Sequence, residues 1–463
     1  MLWDAELDIV IAGAGGCGLA AALAAAEKSP VLEVAVFEKT HQVMGNTASS
    51  AGMIPAAGTR FQRDIGIWET YEEMAEDILK KNRSESDKAL VLALSKTSGP
   101  LVEWLVDSLG IELSLISEFK YPGQRNCRMH APKSRSGMEL IRSLRRKVSE
   151  RDNIYLLLQS EVTRLIANER REIIGVEVQT PDGKQRIRAN KVILATNGFG
   201  ANKEMVRKYI PEFADALYFG YEGNTGDAIK MGEQVGADFA SLGAYQGHSA
   251  VSETHGILVT WGTIMLGGFM VNEEGRRFGD ESQGYSEFAM LVLQQSGKHG
   301  YLIFDHEIYS QLLSIEDFKN LAEIDAFKIA DTIEELGSQL KLNPSGLQHT
   351  FEDFQQCAER GEDQFGRKLF PKRLAPPFYG IKVVPALFHT QGGLKINTNA
   401  QVLNKQGEVI VNLYAGGGAA AGVSGNHAYG YMSGNGLLAA LGFGKIAGDH
   451  AATTILQERG ANE

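Results

Sequence analysis

Asp8-Ile9-Val10-Ile11-Ala12-Gly13-Ala14-Gly15-Gly16-Cys17-Gly18 and, after an Ala/Leu-rich run, Val34-Ala35-Val36-Phe37-Glu38-Lys39 decide the fold of this chain. An apolar run ends in a Gly-x-Gly-x-x-Gly turn, a helix-forming run follows, and a second apolar run stops at an acid. The pattern reads as strand, turn, helix, strand. Gly13 permits the tight turn, Gly15 and the adjoining Gly16 let a pyrophosphate approach the backbone, and Gly18 lets the helix pack on the sheet. The helix N-terminus offers unpaired N–H groups and partial positive charge to phosphates. Glu38, with Lys39 behind it, is placed to accept hydrogen bonds from ribose hydroxyls. An ordinary glycine-rich turn is the plainer alternative. The register of strand, helix, second strand and acid decides against it, and dinucleotide binding is predicted.

The 463 residues are enough for two or three domains. A net charge of −11 argues against nucleic acid or an anionic membrane as partner. The 52 glycines exceed average usage, about 7%, and cluster as GG and GxG, as expected where backbone meets a ligand. Cys17, Cys127 and Cys357 are odd in number, without CxxC or metal spacing, which predicts no metal site and a reduced, cytoplasmic setting. Met1 to Glu6 carries no basic n-region, so no signal peptide is expected. No uncharged apolar run reaches 18 residues, so no membrane span is expected.

Met44 to Met53, containing Asn46, Thr47, Ala51 and Gly52, is rich in small residues and can border a bulky planar ligand. Asp87 to Leu109 has helical periodicity, and Gly99-Pro100 predicts a break into two helices. Tyr121 to Gly137, with Arg125, Arg128, His130, Lys133 and Arg135, reads as a polar loop. Lys191 to Gly200 is a buried strand entering a glycine turn at Asn197-Gly198, and Asp227 stands near a helix start. From about Ala244 the strand–helix rhythm is lost, and Leu374 to Ala386 reads as a hinge back. The expected architecture is α/β, with a discontinuous Rossmann-like domain (1–245 and 374–463) and an inserted α+β cap (246–373). Leu413 to Gly418 is then a strand into glycines, and Ser433-Gly434-Asn435-Gly436-Leu437-Leu438 opens the last main helix.

Four segments together resemble the FAD-dependent fumarate reductase/succinate dehydrogenase flavoprotein superfamily over nearly the whole chain. They are the N-terminal fingerprint, Ala195-Thr196-Asn197-Gly198, Tyr414-Ala415-Gly416-Gly417-Gly418 and Ser433-Gly434-Asn435-Gly436. The resemblance implies a glutathione-reductase-like fold holding FAD. The late helix N-terminus (Gly434, Asn435, Leu437, Leu438) would lie at the isoalloxazine N1/O2, its dipole stabilising negative charge on the reduced ring. Val162, Asn197, Gly198, Asp227 and Gly417 would complete the cofactor site, although Asp227 also reads as a plain helix-cap acid. Succinate dehydrogenases attach FAD through a histidine. The matching position here is Asn46, which implies non-covalent FAD.

The resemblance also carries substrate segments. Gln246-Gly247-His248-Ser249 and His389-Thr390-Gln391-Gly392-Gly393 look like the family's two histidine segments, and Leu258-Val259-Thr260 like its threonine segment. Yet Trp261 follows the threonine where soluble fumarate reductases carry a glutamate. Ile264 takes their proton-relay arginine, Tyr285 their proton-donating arginine, and Tyr431 their carboxylate-clamping arginine. A buried carboxylate left unpaired costs several kcal/mol, so these exchanges favour a ring over a small dicarboxylate. Arg277 to Met290 looks like the catalytic-tyrosine segment of 3-ketosteroid dehydrogenases, and Tyr431-Met432-Ser433-Gly434 like the Tyr-x-Ser-Gly of the Δ4-(5α) branch.

The implied activity is removal of two hydrogens from a C–C bond next to a carbonyl, in a cyclic ketone or keto acid. Tyr431 O–H and Gly434 N–H would hold the carbonyl oxygen. Tyr285 or Tyr431 would be the base, with Ser433 or His389 relaying. An ordinary tyrosine titrates near pH ~10 and would need tuning down. His248, Thr260, Trp261, Arg128, His130 and Gly434 are the expected substrate contacts. Plainer readings stand beside these: Tyr285 packing two domains together, Trp261 as core, the Arg128/His130/Arg135 cluster as a solvated loop. The electron acceptor would be external or oxygen, since no haem or iron–sulfur motif is present. Reduction of an activated C=C bond is the alternative activity. A flavin-binding electron carrier without substrate chemistry is the alternative of another class.

Overall fold

A computed structural model describes residues 2–461. Strand Ala5–Ala12 sits inside an eight-stranded sheet, parallel to Val34–Phe37 on one side and Gly183–Leu194 on the other. Its last five residues are all buried, the texture of a parallel strand covered on both faces. Val409–Ala415 and Ile154–Leu157 extend the parallel set outward, and Glu161–Ala167 and Ile173–Thr180 form an antiparallel flap on Gly183–Leu194. The α/β class and parallel sheet are as the sequence predicts.

Helix Gly16–Lys28 and the terminal helix Asn435–Gly460 cover this sheet as a pair. Small residues set their separation. A Cβ on Gly444 would fall 2.4 Å from the Cys17 carbonyl, and one on Gly448 2.2 Å from that of Ala21. The helix after the fingerprint turn is alanine-rich because a second helix backbone lies directly on it, and the two bury each other's small faces.

Lys88–Asp107 is one helix rather than the two expected, with Pro100 inside it. Proline removes one helical N–H···O bond. Burial of Leu94, Leu101, Val102 and Leu105 in the main core outweighs that loss. Among the described residues this is the one helix long and apolar enough to cross a membrane, and 56% of its apolar window is buried inside the fold.

A second, six-stranded sheet is built around Phe378–Thr390, which pairs with Leu217–Tyr218, Tyr245–Ser252, Gly300–Asp305 and Lys328–Ala330. The segment expected to be a hinge is therefore this sheet's central strand, and the sheet runs past residue 373. Alternation of apolar residues is masked there because nearly every position from Phe378 to Leu387 is buried. The stretch expected to be a polar loop, 121–137, contains strand Met129–Ala131, paired on both sides.

Candidate active site

One continuous cavity of about 510 Å³ runs from the fingerprint turn to the face of the second sheet. At its first end the glycines do separate jobs. Gly13 has φ +101°, and a Cβ there would sit 2.5 Å from the Ala195 carbonyl oxygen. A Cβ on Gly18 would sit 1.9 Å from the Gly13 carbonyl oxygen, so Gly18 packs the turn and does not border the cavity. Glu38 is clamped across the turn: one carboxylate oxygen accepts from Ala14 N (3.0 Å), the other from Thr40 N (3.1 Å) and Thr40 Oγ1 (2.9 Å). Thr47 Oγ1 accepts from Gly16 N at 3.2 Å. Lys39 pairs with Asp227 at 2.7 Å. Burial opposes the charge on Asp227, but the Lys39 hydrogen bond and charge prevail and hold its carboxyl below the usual range. Asn46 ties three segments together, accepting from Tyr221 N (2.7 Å) and Asn224 Nδ2 (2.9 Å) and donating to the Phe388 carbonyl (3.3 Å).

This end fits FAD. A Cβ on Gly15 would meet nothing within 4 Å, so the turn is open toward a pyrophosphate. Thr196 Oγ1, in the cavity wall, is buried without a hydrogen-bond partner, which a bound polar group would satisfy. Gly13, Gly15, Gly16, Glu38, Lys39, Asn46, Thr47, Ala51, Val162, Asn197, Asp227, Gly417, Gly434 and Leu437 all line the cavity. Gly18, Gly52, Gly198, Asn435 and Leu438 do not. They stand one layer back; Gly198 is pressed on Thr390, and Leu438 is in the main core.

The other end is an aromatic box. His248 lies between Tyr285 (centroids 4.6 Å apart, 25° between planes) and Phe388 (5.2 Å, 21°), with Trp261 edge-on to both His248 and Tyr285. Tyr431 stands 6.1 Å from Tyr285 and 5.7 Å from His389. Burial pushes His248 down to about 3 and His389 down to about 4, so both rings are neutral at pH 7. His248 Nδ1 accepts from Ala250 N at 3.1 Å, leaving its proton on Nε2. Gln391 holds His389 Nδ1 at 2.7 Å. A Cβ on Gly436 would fall 2.4 Å from His389 Cε1, so this ring rests on the first turn of the terminal helix.

Tyr431 places its hydroxyl against the backbone N–H groups of Gly434 and Gly436 at that helix start, and Tyr285 meets Ser433 and Tyr431. Burial pushes both phenols above the ordinary tyrosine value, more than their hydrogen bonds bring them down. The tuning down expected of Tyr285 is therefore absent. Its resting form is the neutral phenol. Thr260 Oγ1 accepts from Gly262 N (3.2 Å) and opens a short helical turn, while Trp261 Nε1 is buried without a partner.

Two expected substrate contacts are elsewhere. Arg128 is fully buried and paired with Glu69 and Asp77, away from the cavity wall. His130 bonds Thr59 Oγ1 at 3.0 Å and the Arg128 carbonyl. Strand Met129–Ala131 turns these alternate side chains away and sends Met129 into the cavity. From the same cluster only Arg135 lines the cavity, paired with Glu118. Tyr121, Met53 and Phe388 are cavity residues that sequence reasoning did not single out as contacts. Tyr121 lies in the segment read as loop, and Phe388 directly precedes His389, so alternation along a strand would have hidden it.

Fold and cavity define a flavoprotein built on two large sheets, with a buried, aromatic reaction chamber. The chain belongs to the FAD binding domain family, whose model matches residues 8–437, and to the fumarate reductase/succinate dehydrogenase flavoprotein superfamily. It is 33% identical to a probable fumarate reductase of Shewanella frigidimarina, over 97% of this chain and 75% of that protein. It is 29% identical to the urocanate reductase of Eggerthella lenta, over 96% and 75%. Among solved structures, the open conformation of a flavocytochrome c3 fumarate reductase matches with TM-score 0.80 and 32% identity, over 98% of this chain and 79% of that one. The 3-ketosteroid-Δ4-(5α)-dehydrogenase of Rhodococcus jostii matches with TM-score 0.78 and 24% identity over 98% of both chains, a likeness of fold. The chain is an FAD-dependent oxidoreductase acting on CH–CH groups.

Proposed function

We propose that this protein desaturates the C–C bond next to the carbonyl of a cyclic ketone or cyclic keto acid. One observation carries the reading: a phenol pair, Tyr285 and Tyr431, set on the N-terminus of the terminal helix inside an aromatic box. Tyr431 O–H and the helix N–H groups are donors aimed where enolate charge develops. Tyr285, beside Ser433, is the group that takes the α-proton. Bound FAD supplies the hydride acceptor for the β-hydrogen. His248, neutral and stacked, and Trp261 provide flat walls for a ring.

A dicarboxylate finds no paired guanidinium groups in this box. Among the described residues Arg135 is the arginine that lines the cavity, and we assign it the carboxylate of a keto acid, as in a 4-oxocyclohexanecarboxylate. Its partner Glu118 is 55% exposed in its side chain and free to swing into water. The second sheet, with its flanking helices, acts as the cap that closes the chamber. FAD is held without a covalent bond, since the Asn46 amide is no nucleophile and is spent on three hydrogen bonds. We place the enzyme in the cytoplasm, with an external acceptor or oxygen reoxidising the flavin.

The test is anaerobic mixing with saturated cyclic ketones and keto acids. Loss of the oxidised-flavin band is expected with a ring ketone, most readily with one bearing a carboxylate. Bleaching by a neutral steroid and by no keto acid would overturn the substrate class. A second reading, reduction of an activated C=C bond, is supported by the raised Tyr285: a neutral phenol at rest is already the acid that such a reduction needs. Reoxidation of reduced enzyme by an enoate, with no ketone bleaching the oxidised form, would select it.

A further inference from the structure

Three side chains form a partition between two cavities. Tyr285, Tyr431 and Ser433 line the reaction chamber, and the same three line a second, small cavity on their other side. It offers about 10 Å³ to water centres, close to what a single water needs. Its remaining walls are Lys81, Pro122, Gln283, Gly284 and Ser286.

Beyond this small cavity stands an ion pair. Lys81 Nζ meets Glu287 Oε1 at 2.5 Å and donates to the Gln283 carbonyl at 2.8 Å. The side chains are 12% and 20% exposed, so the pair reaches solvent from an otherwise buried place. Glu287 Oε2 is buried and has no hydrogen-bond partner. It lies 2.5 Å from the position a Cβ on Gly284 would take. Gly284, at φ +139°, has the backbone that side chains disfavour; it lines the small cavity and, carrying no Cβ, leaves that oxygen in place behind the cavity wall.

We infer that the Lys81–Glu287 pair is the proton outlet of the reaction chamber, linked to Tyr285 through Ser433 and the small cavity. This rests on the ketone reading above for the direction of flow. As the α-proton reaches the Tyr285 oxygen, the phenol's own proton passes outward to the Glu287 carboxylate. One O–H bond breaks at Tyr285 as another forms there, and the proton gained by Glu287 is then lost to solvent. No phenolate has to accumulate, which removes the obstacle set by a phenol that burial holds protonated. The titratable groups facing Glu287 are Lys81 from helix Tyr71–Lys81, Asp280 from the preceding turn and the neutral Tyr285 from its own helix. Burial raises Glu287 against the pull of Lys81, as befits a carboxylate that must accept a proton briefly.

The experiment compares wild type with Glu287→Gln, Glu287→Asp and Lys81→Met in anaerobic single turnovers followed by flavin absorbance and a pH-indicator dye. Glu287→Gln is expected to slow flavin reduction about tenfold or more. Its proton release should lag flavin reduction, and formate, a small acid, should restore its rate. Glu287→Asp should recover much of the rate, and flavin content should match wild type throughout. In D₂O, deuterium uptake at the ketone's α-carbon should fall in parallel, a readout that needs no flavin reduction. Wild-type rates of bleaching, proton release and α-exchange in Glu287→Gln overturn the outlet while leaving the ketone reading intact. If no ketone bleaches any form, the ketone reading fails. The same variants are then assayed for enoate reduction, where unchanged proton uptake in Glu287→Gln overturns the outlet in its turn.

Discussion

The two ends of the cavity are built on opposite principles. At the nucleotide end, glycines clear space, and the charged and amide side chains are already held: Glu38 by Ala14 N and Thr40, Lys39 by Asp227, Asn46 by Tyr221, Asn224 and Phe388. At the reaction end, aromatic rings fill space, the histidines are neutral, and Trp261 Nε1 has no partner. The first end is tied together by its own hydrogen bonds, which suits phosphates that need fixed N–H groups. The second leaves donors unspent, the N–H groups of His248 Nε2 and Trp261 Nε1, for the moment when charge develops on a substrate. The contrast also separates binding from chemistry: damage at one end should remove the flavin, and damage at the other should leave the flavin in place and idle.

Gly18→Ala should break the first end outright. Its Cβ would overlap the Gly13 carbonyl, and the purified protein should carry almost no flavin, read from its visible absorbance. Tyr285→Phe should break the second end alone. Flavin content and spectrum should stay unchanged while kcat falls about 10²–10⁴-fold; full turnover in this variant would return Tyr285 to a packing role. Arg135→Leu is a finer cut. KM for a cyclic keto acid should rise about 10–100-fold, the worth of a charge-assisted hydrogen bond, while KM for the uncharged ketone should barely move.

The pH profile sharpens the comparison further. Burial holds His248 near 3 and His389 near 4, so neither should produce an inflection between pH ~5 and ~8. Tyr285 is displaced upward, so its protonated form persists into alkaline solution. Desaturation, in which this phenol surrenders a proton, should therefore gain with rising pH. Enoate reduction, in which it supplies one, should stay level and decline only above the phenol's raised value. Asn46→Ala is the mildest change: the loss of three hydrogen bonds should weaken flavin retention modestly, measured by flavin released on dilution.

Much of the first end was legible because its signal is local. A strand, a glycine turn, a helix and an acid lie within a few dozen residues, and each glycine has a steric reason that holds in any chain adopting that turn. Tyr285, Tyr431, Ser433 and His389, expected from short motifs, line the cavity. Arg128 and His130 were misjudged, because a polar cluster reads as loop until strand pairing of Met129–Ala131 decides which side chains point inward. The central strand Phe378–Thr390 was missed as well, since a strand buried on both faces loses the alternation that marks one.

By itself, then, the sequence determined the dinucleotide cradle and the superfamily, because their signals lie in short segments, each readable without knowing what it packs against. Tertiary structure alone decided which polar residues face the chamber, that both histidines are neutral, and that Tyr285 backs onto Lys81 and Glu287. Burial and charge are sums over neighbours drawn from distant segments. The same tyrosine is acid, base or packing according to what the fold brings within reach of its hydroxyl.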